Sequence, residues 1–169
     1  MGFSSAGSYR PAIKTARRGS REDALHFDLQ KQPGIIFRRL ANASHAMFHR
    51  LSGQDEITGP QLTVLVTLLQ GGAMTQSEIS KAVSMDKNTL TEMLRRMHAR
   101  RLVSRTPLKT DRRAFAINIT GEGKRTVIAL VKPAEDVGNA LLAPLPPEYR
   151  PLFIKCLGIL AEAIDGGAK

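Results

Sequence analysis

The sequence predicts a mainly α-helical fold of the α+β class, in which four helices precede a two-stranded hairpin and two more helices follow it. Three observations carry this expectation. Apolar residues recur at three- and four-residue spacing through most of the chain, which is the spacing of one helix face. Capping signatures at Thr58-Gly59-Pro60-Gln61 and Thr75-Gln76-Ser77-Glu78 cut that pattern into separate helices. After Leu102 the period changes to a β-like alternation, and after Thr120 it returns to helical spacing.

Residues 1–24 carry Gly, Ser, Pro and Arg without apolar periodicity and read as a flexible basic tail. Its Arg10, Lys14, Arg17, Arg18 and Arg21 suit either loose phosphate contact or plain solvation. The series Ile36, Leu40, Ala43, Met47 and Leu51 marks an amphipathic helix over 33–51. A second helix opens at the Thr58 cap, carries Leu62, Leu65, Val66 and Leu69, and ends at Gly71-Gly72. A short third helix opens at the Thr75 cap with Ile79 and Val83 inward, and Asp86 caps a fourth after a tight joint at Ser84-Met85. Segments 102–105 and 114–119 form the hairpin around a polar turn with Pro107 and Asp111. The pattern Val127, Leu130, Val131, Val137 and Leu141 predicts a long helix that Pro133 should kink or break. Pro144, Pro146 and Pro147 stop it, and a last helix over 148–164 carries Leu152, Phe153, Cys156, Leu157, Leu160 and Ile164.

Charge narrows the function. The 169 residues hold 25 Lys and Arg against 15 Asp and Glu, a formal charge of +10 that favours a polyanionic partner. No apolar run has the length of a membrane span and residues 1–20 lack a signal-like apolar stretch, so a cytoplasmic setting without a membrane partner is expected. The single cysteine, Cys156, has no partner for an intrachain disulfide and reads as a buried small hydrophobe. No nucleophile with its base, metal set or phosphate loop is found, so neither an enzyme nor a cofactor is expected.

Two short helices followed by a hairpin form a winged helix-turn-helix, in which the second helix enters the major groove of DNA and the hairpin reaches the flanking backbone or minor groove. On the helix after Asp86, Leu90, Met93, Leu94 and Met97 fall on the inner side, and Asn88, Thr91, Glu92 and Arg95 on the outer. Lys87, Asn88 and Thr89 occupy its first turn, where side chains and free backbone N–H groups would meet bases and phosphate. The hairpin turn carries Lys109, Asp111, Arg112 and Arg113; an Arg there suits a narrow minor groove, and the same charges suit a solvated turn.

In order and spacing these segments resemble the MarR family: Thr58 to Gln61, Thr75-Gln76-Ser77-Glu78-Ile79, and Met85-Asp86-Lys87-Asn88-Thr89-Leu90-Thr91. The likeness continues through Arg101 to Val103, Asp111-Arg112-Arg113, and Ile119-Thr120-Gly121-Glu122-Gly123. It implies a homodimer built from 25–57 and 120–169, with a winged module over 58–119 on each half of a palindromic double-stranded DNA site. It assigns DNA contact to Lys87, Asn88, Thr89, Thr91 and Arg95 and to Arg113 of the wing, with Asp111 as its support; the neighbouring wing charge Arg112 is a further DNA-binding candidate. It further implies a repressor released by a small aromatic acid. His26-Phe27-Asp28-Leu29 and Gln32-Pro33-Gly34 resemble the entry to the first long helix in regulators of nicotinate and related aromatic-acid breakdown, departing at Ile35, where that subgroup has a His. Hydroxylated nicotinate is the effector this implies.

On that helix Arg38, Asn42, His45 and His49 share one face and, with His26, are the effector-binding candidates; the face equally suits plain solvation. His45 and His49 also have the i, i+4 spacing of a zinc pair, which keeps a zinc-responsive regulator of the same fold as an alternative, although two ligands make no site. A winged-helix module that binds protein instead of DNA is the other alternative, which the basic recognition face disfavours.

Overall fold

The computed structural model describes residues 19–53, 57–107 and 115–166. Its helices are α1 (Arg21–Leu25), α2 (Pro33–Ser52), α3 (Gly59–Gly71), α4 (Gln76–Ala82), α5 (Lys87–Ala99), α6 (Gly121–Leu142) and α7 (Tyr149–Gly166). Strands β1 (Met74–Thr75), β2 (Val103–Pro107) and β3 (Phe115–Ile119) form one antiparallel sheet in the order β1-β3-β2. The hairpin is the expected one, with Val103 opposite Ile119 and Pro107 opposite Phe115.

The third strand is an addition to the two-stranded wing. Met74 pairs with Ile117 and Thr75 with Ala116. Two residues are too few for any alternation to show in the sequence. Thr75 belongs to this strand and also caps α4, accepting from Glu78 N–H, so one residue ties the start of α4 to the sheet. Another addition is α1, where Ser20 and Asp23 form a reciprocal capping box, the same device as at Thr58/Gln61 and Thr75/Glu78.

The described residues fall into two compact units, one within Ala41–Leu141 and the other within Met1–Leu40 and Leu142–Lys169. The first holds every buried apolar residue of the core, including Leu62, Val64, Leu65 and Leu68 of α3, Ile79 of α4, Leu90, Leu94 and Met97 of α5, Ile117 of β3 and Leu130 of α6. Phe48 is the buried residue of α2, whereas Ile36, Leu40 and Leu51 of the expected stripe are exposed within the single chain. Leu69 is exposed as well, while Val64 and Leu68 are fully enclosed, because α3 is covered on more than one side and its amphipathic period is weak. In the second unit no described side chain is buried; Leu25, Phe27, Leu29, Phe37, Leu152 and Ile159 are all exposed. Cys156 is exposed too, contrary to its reading as a buried small hydrophobe, because no described residue covers its side of α7.

Pro133 does not end α6, which continues through it to Leu142. The carbonyl freed by the missing N–H belongs to Ala129, an exposed residue that solvent reaches, so the loss is tolerated. Two glycines are dictated by geometry. Gly72, the C-cap of α3, has φ +76, which L side chains avoid. A Cβ on Gly123 would stand 2.3 Å from the Leu102 carbonyl oxygen and 2.8 Å from Ile119 Cγ1, so only glycine lets α6 start this close to the sheet.

Candidate nucleic-acid interface

Helices α4 and α5 are joined by a Schellman turn: Met85 N–H donates to Ser80 O at 3.0 Å and Ser84 takes φ +48. The Ser80 hydroxyl reinforces it by donating to Met85 O at 2.6 Å. Asp86 then caps α5, with one carboxylate oxygen accepting from Asn88 N–H at 3.1 Å and Thr89 N–H at 2.9 Å. The Thr89 hydroxyl and these backbone donors hold the Asp86 carboxyl below the usual carboxylate range. Glu78 is lowered in the same way by the Thr75 N–H and hydroxyl. The far end of α5 closes with a second Schellman turn, Leu102 N–H to Met97 O and Arg101 N–H to His98 O, with Arg101 at φ +58.

The inner face of α5 is as expected, with Leu90, Met93, Leu94 and Met97 all buried. Lys87, Asn88, Thr89, Thr91 and Arg95 are exposed. One expectation needs correction. The N–H groups of Asn88 and Thr89 are not free for DNA, because Asp86 takes both. Arg95 lies against Glu92 at 3.1 Å through both Nε and Nη2, an exposed pair in which the remaining guanidinium donors stay available. Thr91 donates its hydroxyl to Lys87 O at 2.6 Å and accepts from Gln76 Nε2 at 2.6 Å. Gln76 stood in the α4 capping signature without a role of its own; only the packing of α4 on α5 reveals this bridge. Arg105, exposed on β2, is a further basic side chain of the wing.

Lys109, Asp111, Arg112 and Arg113 lie outside the described residues, as do Arg10, Lys14, Arg17 and Arg18. Of the effector candidates, Arg38, Asn42, His45 and His49 are exposed side chains of α2, and His26 is exposed at the C-cap of α1. An open cavity lies elsewhere, between the end of α5 and the start of α6, lined by Ile57, Arg101, Leu102, Thr120, Glu122 and Arg125 among others. Arg125 is paired with Glu122 there. Among the described residues no three His, Cys, Asp or Glu side chains gather as a metal set, and no helix is long and apolar enough to cross a membrane.

Residues 57–115 match the model of the MarR family, from just before α3 to the first residue of β3. The transcriptional regulator HosA of Escherichia coli O157:H7 is 30% identical over 59% of this chain and 74% of its own length. The chain belongs to the MarR family. It is thereby a DNA-binding transcriptional regulator, of a family that is not enzymatic. The HTH-type transcriptional repressor NicR of Pseudomonas putida is 26% identical to this MarR-family chain over 90% of it and 94% of NicR. Among solved structures, BpsR of Bordetella bronchiseptica, whose DNA binding is regulated by 6-hydroxynicotinic acid, superposes with a TM-score of 0.75 at 25% identity, covering 80% of this chain and 97% of that one.

Proposed function

We propose that the chain is a homodimeric repressor that reads a palindromic operator with α5 and the wing and leaves it when a small aromatic carboxylate binds. The observation that carries the reading is the division of labour along α5. Its apolar side is sealed in the core and its polar side, with Lys87, Asn88, Thr91 and Arg95, faces solvent on a chain of charge +10. Support for the dimer comes from the second unit, whose exposed Leu152, Ile154, Ile159, Leu160 and Ile164 on α7 form too much apolar surface for a solvated monomer. On this reading 58–119 is the DNA-binding module, and 25–57 with 120–169 the dimerisation region. Similarity to BpsR and NicR supports the effector class, a hydroxylated nicotinate, with His26, Arg38, Asn42, His45 and His49 as its contacts and Arg38 as partner of the carboxylate.

The test begins with selection of binding sites from a random duplex library by the purified full chain. Anisotropy on a selected duplex then follows addition of 6-hydroxynicotinic acid, 4-hydroxybenzoic acid and the neutral amide of each. The proposal expects palindromic sites and release by at least one acid at concentrations where its amide is inert. Asymmetric sites, or binding indifferent to every acid, would refute it.

A further inference from the structure

Gln76, the first residue of α4, reaches across to the first turn of α5, where its side-chain nitrogen stands 3.2 Å from Lys87 O and 2.6 Å from Thr91 Oγ1. A backbone carbonyl only accepts, so the amide end facing Lys87 O is the NH2 group, and its two hydrogens are both committed. Thr91 sends its own proton to Lys87 O at 2.6 Å and must therefore accept from Gln76. These bonds lie on the exposed side of the helix pair, so they add little to net stability. What they fix is geometry and polarity at a position facing the groove.

The consequence follows from the donor and acceptor inventory. A freely rotating threonine hydroxyl either donates or accepts, and so discriminates poorly among base edges. In this arrangement the Thr91 hydroxyl directs its proton to Lys87 O and has one lone pair filled by Gln76, so it does not donate outward. It keeps one acceptor lone pair and a methyl group. In the major groove the N7, O6 and O4 acceptors find no donor there, whereas an A·T pair offers the adenine amino group and the thymine methyl together. We propose that Gln76 is a positioning residue for sequence reading, which holds Thr91 as an acceptor-plus-methyl reader of one A·T pair in each half-site.

This rests on the reading of α5 as the recognition helix, and the experiment separates the two. On a duplex selected by the 169-residue chain, each thymine is replaced in turn by deoxyuridine, which removes only the methyl group, and each A·T pair by G·C. The parent should lose about fourfold in affinity at one thymine per half-site, the worth of one buried methyl. It should lose about tenfold or more when that pair becomes G·C. Thr91→Ser should be indifferent to deoxyuridine there. Gln76→Ala should lose most of the A·T preference at that pair and no other, with thermal stability and affinity for random DNA unchanged, a combination that a purely structural role does not produce. If the parent binds its site selectively and Gln76→Ala keeps the full preference, the proposal is wrong and the recognition helix stands. Equal deoxyuridine sensitivity in the parent and Thr91→Ser would also overturn it. If the parent shows no sequence preference at all, the reading of α5 itself fails and takes the proposal with it.

Discussion

Replacing Gly123 by Ala puts a methyl group where the start of α6 meets the sheet. The new carbon would lie 2.3 Å from Leu102 O and 2.8 Å from Ile119 Cγ1. Carbon and carbonyl oxygen rest at about 3.3 Å or more, so one side must retreat by roughly 1 Å. The Leu102 carbonyl has little freedom to do so, since it accepts from Thr120 N–H at 3.1 Å and from the Thr120 hydroxyl at 3.1 Å, and that hydroxyl also caps α6 through Gly123 N–H. Overpacking of a tight site costs about 1–3 kcal/mol, and two contacts under 3 Å place this case at the upper end. Loss of one hydrogen bond at the joint adds about 1 kcal/mol, and the better helix propensity of Ala returns about the same, leaving roughly 3 kcal/mol of destabilisation. Urea unfolding at one fixed protein concentration should show the midpoint falling by about 1–2 M at unchanged slope. Gly138→Ala is the internal contrast, because nothing lies within 4 Å of its Cβ position and it sits inside α6. That variant should be more stable by about 0.5–1 kcal/mol. A Gly123→Ala protein as stable as its parent would refute the close approach of α6 to Leu102.

Three further outcomes follow from the same structure. The Asp86 carboxyl is lowered from 3.8 in the folded state, so its stabilising effect is complete above that value and is lost as pH falls through the lower folded one; in acid titration followed by circular dichroism, the parent's margin over Asp86→Asn should shrink only in this window. Lys87→Ala should weaken binding to all sequences alike, and Arg113→Ala should weaken operator binding by about 1–3 kcal/mol without altering helix content, as checked by anisotropy on selected and random duplexes; unchanged affinity in both would move the interface elsewhere. Arg38→Ala and His45→Ala should keep DNA binding and require about tenfold to a hundredfold more 6-hydroxynicotinic acid for release, the worth of one hydrogen bond to a charged group; calorimetry with the acid checks this, and full response in both variants would leave that face as plain solvated surface.

The helix-turn-helix was legible in the sequence because local signals decide it. Thr58/Gln61, Thr75/Glu78 and Asp86 act within a few residues of themselves, and all three caps form as the spacing predicts. The inner face of α5 was legible because four apolar residues repeat cleanly on one side of a polar helix. What escaped depends on partners distant in the chain. Strand β1 exists only because β3 passes beside Met74 and Thr75, some forty residues further along. Phe48 is the residue of α2 that the core encloses, with only Met47 of the expected apolar series packed against it. Gln76 acquires its role from Lys87 and Thr91 across the turn, and the N–H groups of Asn88 and Thr89 are withdrawn from DNA by the same Asp86 that makes the helix start there. The exposed apolar residues of α7 show the opposite limit: their helical spacing is legible, but it does not tell that the chain leaves them uncovered among its described residues.

If the basic outer side of α5 and the wing hold DNA, they do so through phosphate as well as bases. A salt titration of the parent and of Lys87→Ala on one selected duplex tests it most directly. The logarithm of affinity should fall linearly and steeply with the logarithm of salt concentration, with a slope shallower by about one for each lysine removed, or about two for a dimer on a palindrome. A shallow slope for the parent, or the same slope for both proteins, would contradict it.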